Sequence, residues 1–307
     1  MIKLRDVKKD YGSVRALNGI SFEISKGEIA AFLGPNGAGK TTTMRIISNY
    51  FPASSGEVLI KGAGPADGRR FIGYMPESNP LYPEMFVEDY LRYVLKLRGI
   101  KGGAGLKNAV ENCALNGVMS KKIGELSKGY RQRVGLAASI VHDPEILILD
   151  EPTIGLDPNQ IREIRALIKE LGSEKTVIIS THILTEAEAV ATRILIVKDG
   201  VLVMDSPADQ IESRFSSGIV VVFEHLPDNL EELRKIKGVE NITSGEKDIE
   251  IAYAEGRDIR GDVFSLCAAR KWKLLEMYTR KKGLEEIFKT LTSENGVGEA
   301  SEPGESR

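Results

Sequence analysis

Cysteine is nearly absent: Cys113 and Cys267 are the only two, far apart and outside any C-x-x-C pairing. That excludes a disulfide framework and a cysteine-bound zinc site, and it fits a reducing compartment. No run approaches the ~20 apolar residues of a membrane helix. Even Gly218–Phe223 is short and reads as a buried strand. Met1–Asp6 lacks the apolar core of a signal peptide. A net charge of −2 offers no basic excess for nucleic acid. There is no internal repeat and no heptad pattern. What remains is an ordinary globular composition, 42% hydrophobic and 28% charged. Its 307 residues suffice for one large domain and a small one.

Against that background one segment stands out. Residues 34–41 read Gly34-Pro35-Asn36-Gly37-Ala38-Gly39-Lys40-Thr41, a full phosphate-binding loop of the form G-x-x-x-x-G-K-[ST]. It follows the apolar run Ile29–Leu33 and precedes a helix expected from Lys40 to about Asn49. The glycines let the backbone turn around an anion and expose its N–H groups, and the helix start adds its positive dipole end. Lys40 would reach the β- and γ-phosphates, and Thr41 would offer a hydroxyl to Mg²⁺. The chain is therefore expected to bind a nucleoside triphosphate.

The first ~210 residues alternate short β-rich runs with helical patterns, as in an α/β fold with a mostly parallel sheet. The β signal fades between about 78 and 141, where helices are expected near Phe86–Arg98, Leu106–Asn116 and Gly129–Val141. This is read as a helical subdomain, with Gly99–Gly105 as its flexible loop. The pattern changes again around Ser206-Pro207. Strands near 218–223, 249–253 and 272–278, with helices near 228–237, 257–269 and Leu284–Leu291, indicate a small C-terminal α+β unit. The expected organisation is 1–215, then 216–292, then a disordered tail at 293–307, which is rich in Gly, Ser and Glu.

A second apolar run, Ile146–Leu149, leads into Asp150-Glu151. Four consecutive apolar residues suit a strand buried on both faces. Asp150, the first carboxylate past its expected end, is placed to hold Mg²⁺. Glu151 is placed to orient and deprotonate a water attacking the γ-phosphate. Ser127, in Leu126-Ser127-Lys128-Gly129, is a good helix N-cap at a second anion-binding helix start. Arg131 and Arg133 read as a solvated face of that helix. His182 follows the strand Val177–Ile179, on the sheet edge where Lys40 and Glu151 converge.

The order of phosphate loop, Leu-Ser-x-Gly element, Asp150-Glu151, Gly155-Leu156-Asp157 and Ser180-Thr181-His182 resembles the ATPase subunit of ABC transporters. The resemblance covers roughly residues 1–215. The Gly73–Glu77 segment, the residues 126–133 and the Leu284–Phe288 tail resemble ABC-2-type exporters, including gliding-motility and drug-export ATPases. The resemblance implies a head-to-tail dimer, of identical or different ATPase subunits, with two ATP molecules sandwiched between them. Asn36 to Gly39, with Lys40, Thr41 and Thr42, would hold phosphates from one side. The partner's copies of Ser127 and Gly129 would cap the γ-phosphate from the other. Tyr11 would stack on adenine, Asp157 would communicate across the dimer, and His182 would contact the γ-phosphate.

Where the family usually has glutamine, this chain has Glu77. A carboxylate can ligate Mg²⁺ but cannot donate as an amide does. Glu77 is carried over as the γ-phosphate sensor and metal ligand. The resulting expectation is an Mg²⁺-dependent ATPase, cytoplasmic and peripheral on the inner membrane face through a separately encoded ABC-2-type permease. A soluble ABC ATPase acting on ribosomes or DNA would carry two phosphate loops or a coiled-coil or zinc insertion, so no nucleic acid partner is expected. A phosphate-loop kinase would leave residues 126–129 unexplained.

Overall fold

The computed structural model describes residues 1–100, 103–211, 218–227, 229–253, 257–280 and 283–292; the expected disordered tail lies outside them. The chain divides into two compact units, Met1–Ala208 and a second beginning at Asp209. In the first, β1 (Ile2–Tyr11), β2 (Val14–Ile24) and β4 (Ser55–Ile60) form an antiparallel sheet in the order β2-β1-β4. The sequence reading did not foresee this sheet. Leu4 and Val7 straddle a register shift where Asp6 has φ 45°, so the apolar alternation of β1 breaks midway.

The site rests on the other sheet. It contains β3 (Ile29–Leu33), β5 (Ile72–Met75), β6 (Ile146–Asp150), β7 (Thr176–Thr181), β8 (Arg193–Lys198) and β9 (Val201–Pro207), in the order β5-β6-β7-β3-β8-β9. Strands β5 through β8 are parallel, and β9 closes the edge antiparallel to β8. Every residue of β3, β6 and β7 is buried. Their side chains alternate between two cores: Ile146, Ile148 and Ile178 join Met44 and Ile47 on one face. Leu147, Leu149 and Ile179 join Leu136, Ile164 and Ile168 on the other.

Helix α1 (Lys40–Ile47) stops two residues short of expectation because Asn49, at φ 55°, leaves the helical region. After the four-residue α2 (Pro65–Gly68), the helical region contains α3 (Val87–Leu97), α4 (Ala104–Asn112) and α5 (Lys128–Ile140). Next come α6 (Pro158–Gly172) and α7 (Leu184–Val190). No helix among the described residues is long and apolar enough to cross a membrane.

Among the described residues, the strands and helices of the second unit from Gly218 onward run βαββαβ and are followed by a further helix. Strands β10 (Gly218–Phe223), β11 (Val239–Ser244), β12 (Asp248–Tyr253) and β13 (Leu274–Arg280) lie antiparallel in the order β11-β12-β10-β13. Ile219, Val221, Phe223, Ile249 and Ile251 pack with Leu233 and Val263 from the helices Glu231–Arg234 and Arg260–Arg270. Strand β11 escaped the sequence reading because Ile242 is its one buried residue.

His142, just past α5, places Nε2 3.1 Å from the Ile72 carbonyl. Burial and then Arg98 hold its imidazole down at about 4 instead of 6.5, against the Ile72 carbonyl and Asp143, with Lys175 adding a further repulsion. Between those values the unfolded chain binds the proton and the native state refuses it. The associated stability is intact above about pH 6.5 and is lost as pH falls toward about 4. Replacing His142 by Gln should flatten this part of the pH–stability curve, as measured by urea denaturation.

Candidate active site

Strand register sets the geometry. Leu33 pairs with Thr181 and Asp150 with Ser180, so β3, β7 and β6 end at one level. The loop after β3 then turns back sharply. A Cβ on Gly34 would stand 2.4 Å from the Val197 carbonyl, and Gly39 has φ 103°. Both positions thus require glycine. Gly39 also precedes α1 without a side-chain cap, which leaves the first helical N–H groups available to an anion.

This helix start borders a cavity of about 560 Å³ lined by Asn36, Gly37, Lys40, Thr41, Thr42, Glu77, Glu151 and His182 among others. Its size and the Lys40 ammonium and Thr41 and Thr42 hydroxyls in its wall suit a nucleotide's phosphates. Lys40 Nζ donates to the carbonyls of Gly34 (2.7 Å) and Pro35 (3.1 Å) and stands 3.9 Å from Glu151 Oε1. Burial pulls its ammonium below the usual lysine range, opposed by the charges of Glu151, Asp150 and Glu77.

Asp150 is fully buried and is a strand residue, not the first residue past the strand as the sequence suggested; its pairing with Ser180 extends β6 to it. Three hydroxyls converge on its carboxylate: Thr41 (3.2 Å), Tyr74 (3.5 Å) and Ser180. Burial, reinforced by the Asp150 charge, pushes the Tyr74 hydroxyl up to about 12, so it remains a donor. Glu151 adopts φ 49°, a left-handed conformation that is strained for a residue with a side chain. Its N–H is held by Ser180, through the carbonyl (3.1 Å) and Oγ (3.2 Å). Its carboxylate lies 3.0 Å from His182 Nδ1. That bond places the imidazole proton on Nδ1 when Glu151 is ionised. Both residues line the cavity.

The remaining residues fall elsewhere. Tyr11, 46% exposed, does not line this cavity; it meets Phe51 edge-on at 5.8 Å. Ser127 caps α5, accepting from the Tyr130 N–H (3.4 Å), and Asp157 caps α6 through the N–H groups of Asn159 and Gln160. These two helix starts touch, since a Cβ on Gly129 would lie 2.7 Å from the Gln160 side chain. Arg131 and Arg133 are not a solvated face. Arg131 donates to the Leu126 carbonyl, and Arg133 to the Cys113 carbonyl and to Glu163. The sequence reading also missed Ser180 and Tyr74. The signal for Ser180 was its position two residues before His182, but its partner becomes visible only through the sheet order.

The sequence model of the family described as "ABC transporter" matches residues 17–154, and that of "AAA domain, putative AbiEii toxin, Type IV TA system" matches residues 122–187. The linearmycin resistance ATP-binding protein LnrL of Bacillus subtilis (strain 168) is 30% identical over 305 residues, spanning 95% of this chain and 98% of LnrL. The lantibiotic transport ATP-binding protein SrtF of Streptococcus pyogenes is 35% identical over 216 residues, or 69% of this chain and 93% of SrtF. Among solved structures, a dimeric post-hydrolysis state of the ATP-binding cassette MJ0796 bound to ADP and Pi superposes with a TM-score of 0.62. It is 27% identical and covers 68% of this chain and 99% of that one.

Removing the Ser180 hydroxyl takes one donor from a buried carboxylate and one acceptor from the Glu151 N–H. Ser180→Ala should therefore lower unfolding free energy by about 1–3 kcal/mol, as read by chemical denaturation.

Proposed function

The chain belongs to the ATP-binding subunits of ABC transporters and is an ATPase, and we propose that it drives export through a separately encoded membrane permease. In this reading the ATPase subunits close on ATP as a dimer and open on hydrolysis. The permease is of ABC-2 type, and the ATPase sits at the cytoplasmic face of the membrane through it. The name of LnrL, given for resistance, supports the outward direction.

The observation that carries the proposal is the division of the candidate residues into two groups. Lys40, Thr41, Glu77, Glu151 and His182 line one cavity, with Asp150 hydrogen-bonded at its edge. Ser127 and Gly129 open a different helix outside that lining. A second subunit, identical or not, would bring its own Ser127 and Gly129 over the cavity and complete the anion site. The dimeric MJ0796 cassette with ADP and Pi supports this arrangement.

For hydrolysis, Lys40 and the N–H groups at the start of α1 would neutralise charge on the terminal phosphates. Glu151 would accept a proton from the attacking water. His182, its Nδ1 engaged by Glu151, would donate to the γ-phosphate through Nε2 when the ring carries a proton on both nitrogens. Among the described residues no group of three or more His, Cys, Asp or Glu side chains is placed to hold a metal. The oxygen donors Thr41, Asp150 and Glu77 nevertheless fit Mg²⁺, which takes few protein ligands and completes its shell with phosphate oxygens and water. Bound there, Mg²⁺ would offset phosphate charge. Tyr11 would stack on adenine, and Asp157 would sit at the subunit junction.

Glu151→Gln should keep ATP affinity and ATP-dependent dimerisation while turnover falls ~100-fold or more, measured by phosphate release and light scattering. Capturing that variant from native membranes with ATP and Mg²⁺ should recover a polytopic membrane protein in near-equal amount. Recovery of ribosomes or soluble proteins alone would overturn the transport reading.

A further inference from the structure

Glu186 of α7 is only 4% exposed, and the phosphate-binding elements do not account for it. Its Oε2 accepts hydrogen bonds from two buried hydroxyls, Thr153 Oγ1 at 2.6 Å and Thr181 Oγ1 at 3.0 Å. Thr181 Oγ1 in turn accepts from the Ile183 N–H at 3.0 Å, so the single hydroxyl proton of Thr181 is left for Glu186. The residue between those two pinned positions is His182. Thr153 belongs to the turn that opens at Glu151, in which the Ile154 N–H bonds the Glu151 carbonyl (3.2 Å) and the Leu156 N–H bonds the Thr153 carbonyl (3.1 Å).

We propose that Glu186 is a positioning residue, a buried carboxylate that ties the turn carrying Glu151 to the strand end carrying His182 and so sets the Glu151–His182 contact. The proposal rests on the reading of Glu151 as proton acceptor. Two observations support it beyond the hydrogen bonds. The first is that the carboxylate sits in its pocket at an energetic disadvantage. Oε1 is buried without a hydrogen-bond partner, and so is Arg165 Nε, while the Arg165–Glu186 approach is a loose 3.9 Å. So loose an ion pair is weak evidence of a stabilising role, and the two hydroxyls held by Oε2 are the well-formed contacts of this carboxylate. The second is the backbone of Glu151. A left-handed residue with a side chain persists only where its surroundings over-determine it. Ser180 fixes the N–H of Glu151, and Glu186 fixes the turn that follows.

The test uses the full chain and compares kcat with ATP affinity. Glu186→Ala should lower kcat ~30–100-fold, the scale of a misplaced catalytic contact, with ATP affinity changed less than ~3-fold. Glu186→Gln keeps an oxygen acceptor for both threonines, so it should recover kcat to within ~5-fold of the parent. Thr181→Val, similar in volume and less disruptive, should show a smaller kcat loss, again without an affinity change. In a His182→Ala background, Glu186→Ala should add little further loss, because both act through one contact. Unchanged kcat in Glu186→Ala or in Thr181→Val would overturn the proposal. So would a Gln variant as impaired as Ala, which would make charge rather than hydroxyl placement the requirement. Parallel loss of ATP affinity and of melting temperature in Thr181→Val would reduce Glu186 to a fold contact and also overturn it. Turnover surviving in Glu151→Gln would remove the proton acceptor itself. An inactive Glu151→Gln beside a fully active Glu186→Ala would remove only the clamp.

Discussion

The first unit depends on a carboxylate that water does not reach. Asp150 is fully buried, and burying an unpartnered charge would oppose folding strongly. Hydroxyls from three separate elements meet it: Thr41 from α1, Tyr74 from β5 and Ser180 from β7. The same three contacts that make the carboxylate tolerable fix the phosphate-loop helix and the flanking strands around it. One set of bonds thus holds both the buried charge and the elements that surround it.

Much of this could be read from the chain alone because the relevant signals are local. The phosphate loop, the apolar runs Ile29–Leu33 and Ile146–Leu149 that form β3 and most of β6, and the cap Ser127 each depend on neighbours within a few residues. The features that escaped depend on separation in sequence. Ser180 finds Asp150 thirty residues away, through a strand pairing. Glu186 faces outward from nothing in the pattern of α7, yet it bridges Thr153 and Thr181. Arg133 reads as surface until α5 is laid against Glu163 of α6. The antiparallel sheet β2-β1-β4 was hidden for another reason, an irregular alternation caused by bulges.

Glu77 shows how a departure from a family pattern is absorbed. It lines the cavity, and its charge acts on Lys40 in the same sense as those of Glu151 and Asp150. Three carboxylates around one buried ammonium make the cavity wall more acidic than an amide at position 77 would. Electrostatically, such a wall favours a cation beside the phosphates over bare phosphate. The C-terminal unit has its own core of Ile219, Val221 and Phe223.

The tethering of Lys40 has a final consequence. An ammonium carries three protons, and two of them are committed to the carbonyls of Gly34 and Pro35. The lysine is therefore a compass needle more than a diffuse positive charge, with one N–H left and its bearing set by the loop that holds the other two. In the proposed site a nucleotide would meet a single oriented N–H at this nitrogen. Any change in the curvature of residues 34–36 would re-aim that N–H before it altered the charge, so under the proposed reading the backbone of the loop would tune which phosphate is addressed.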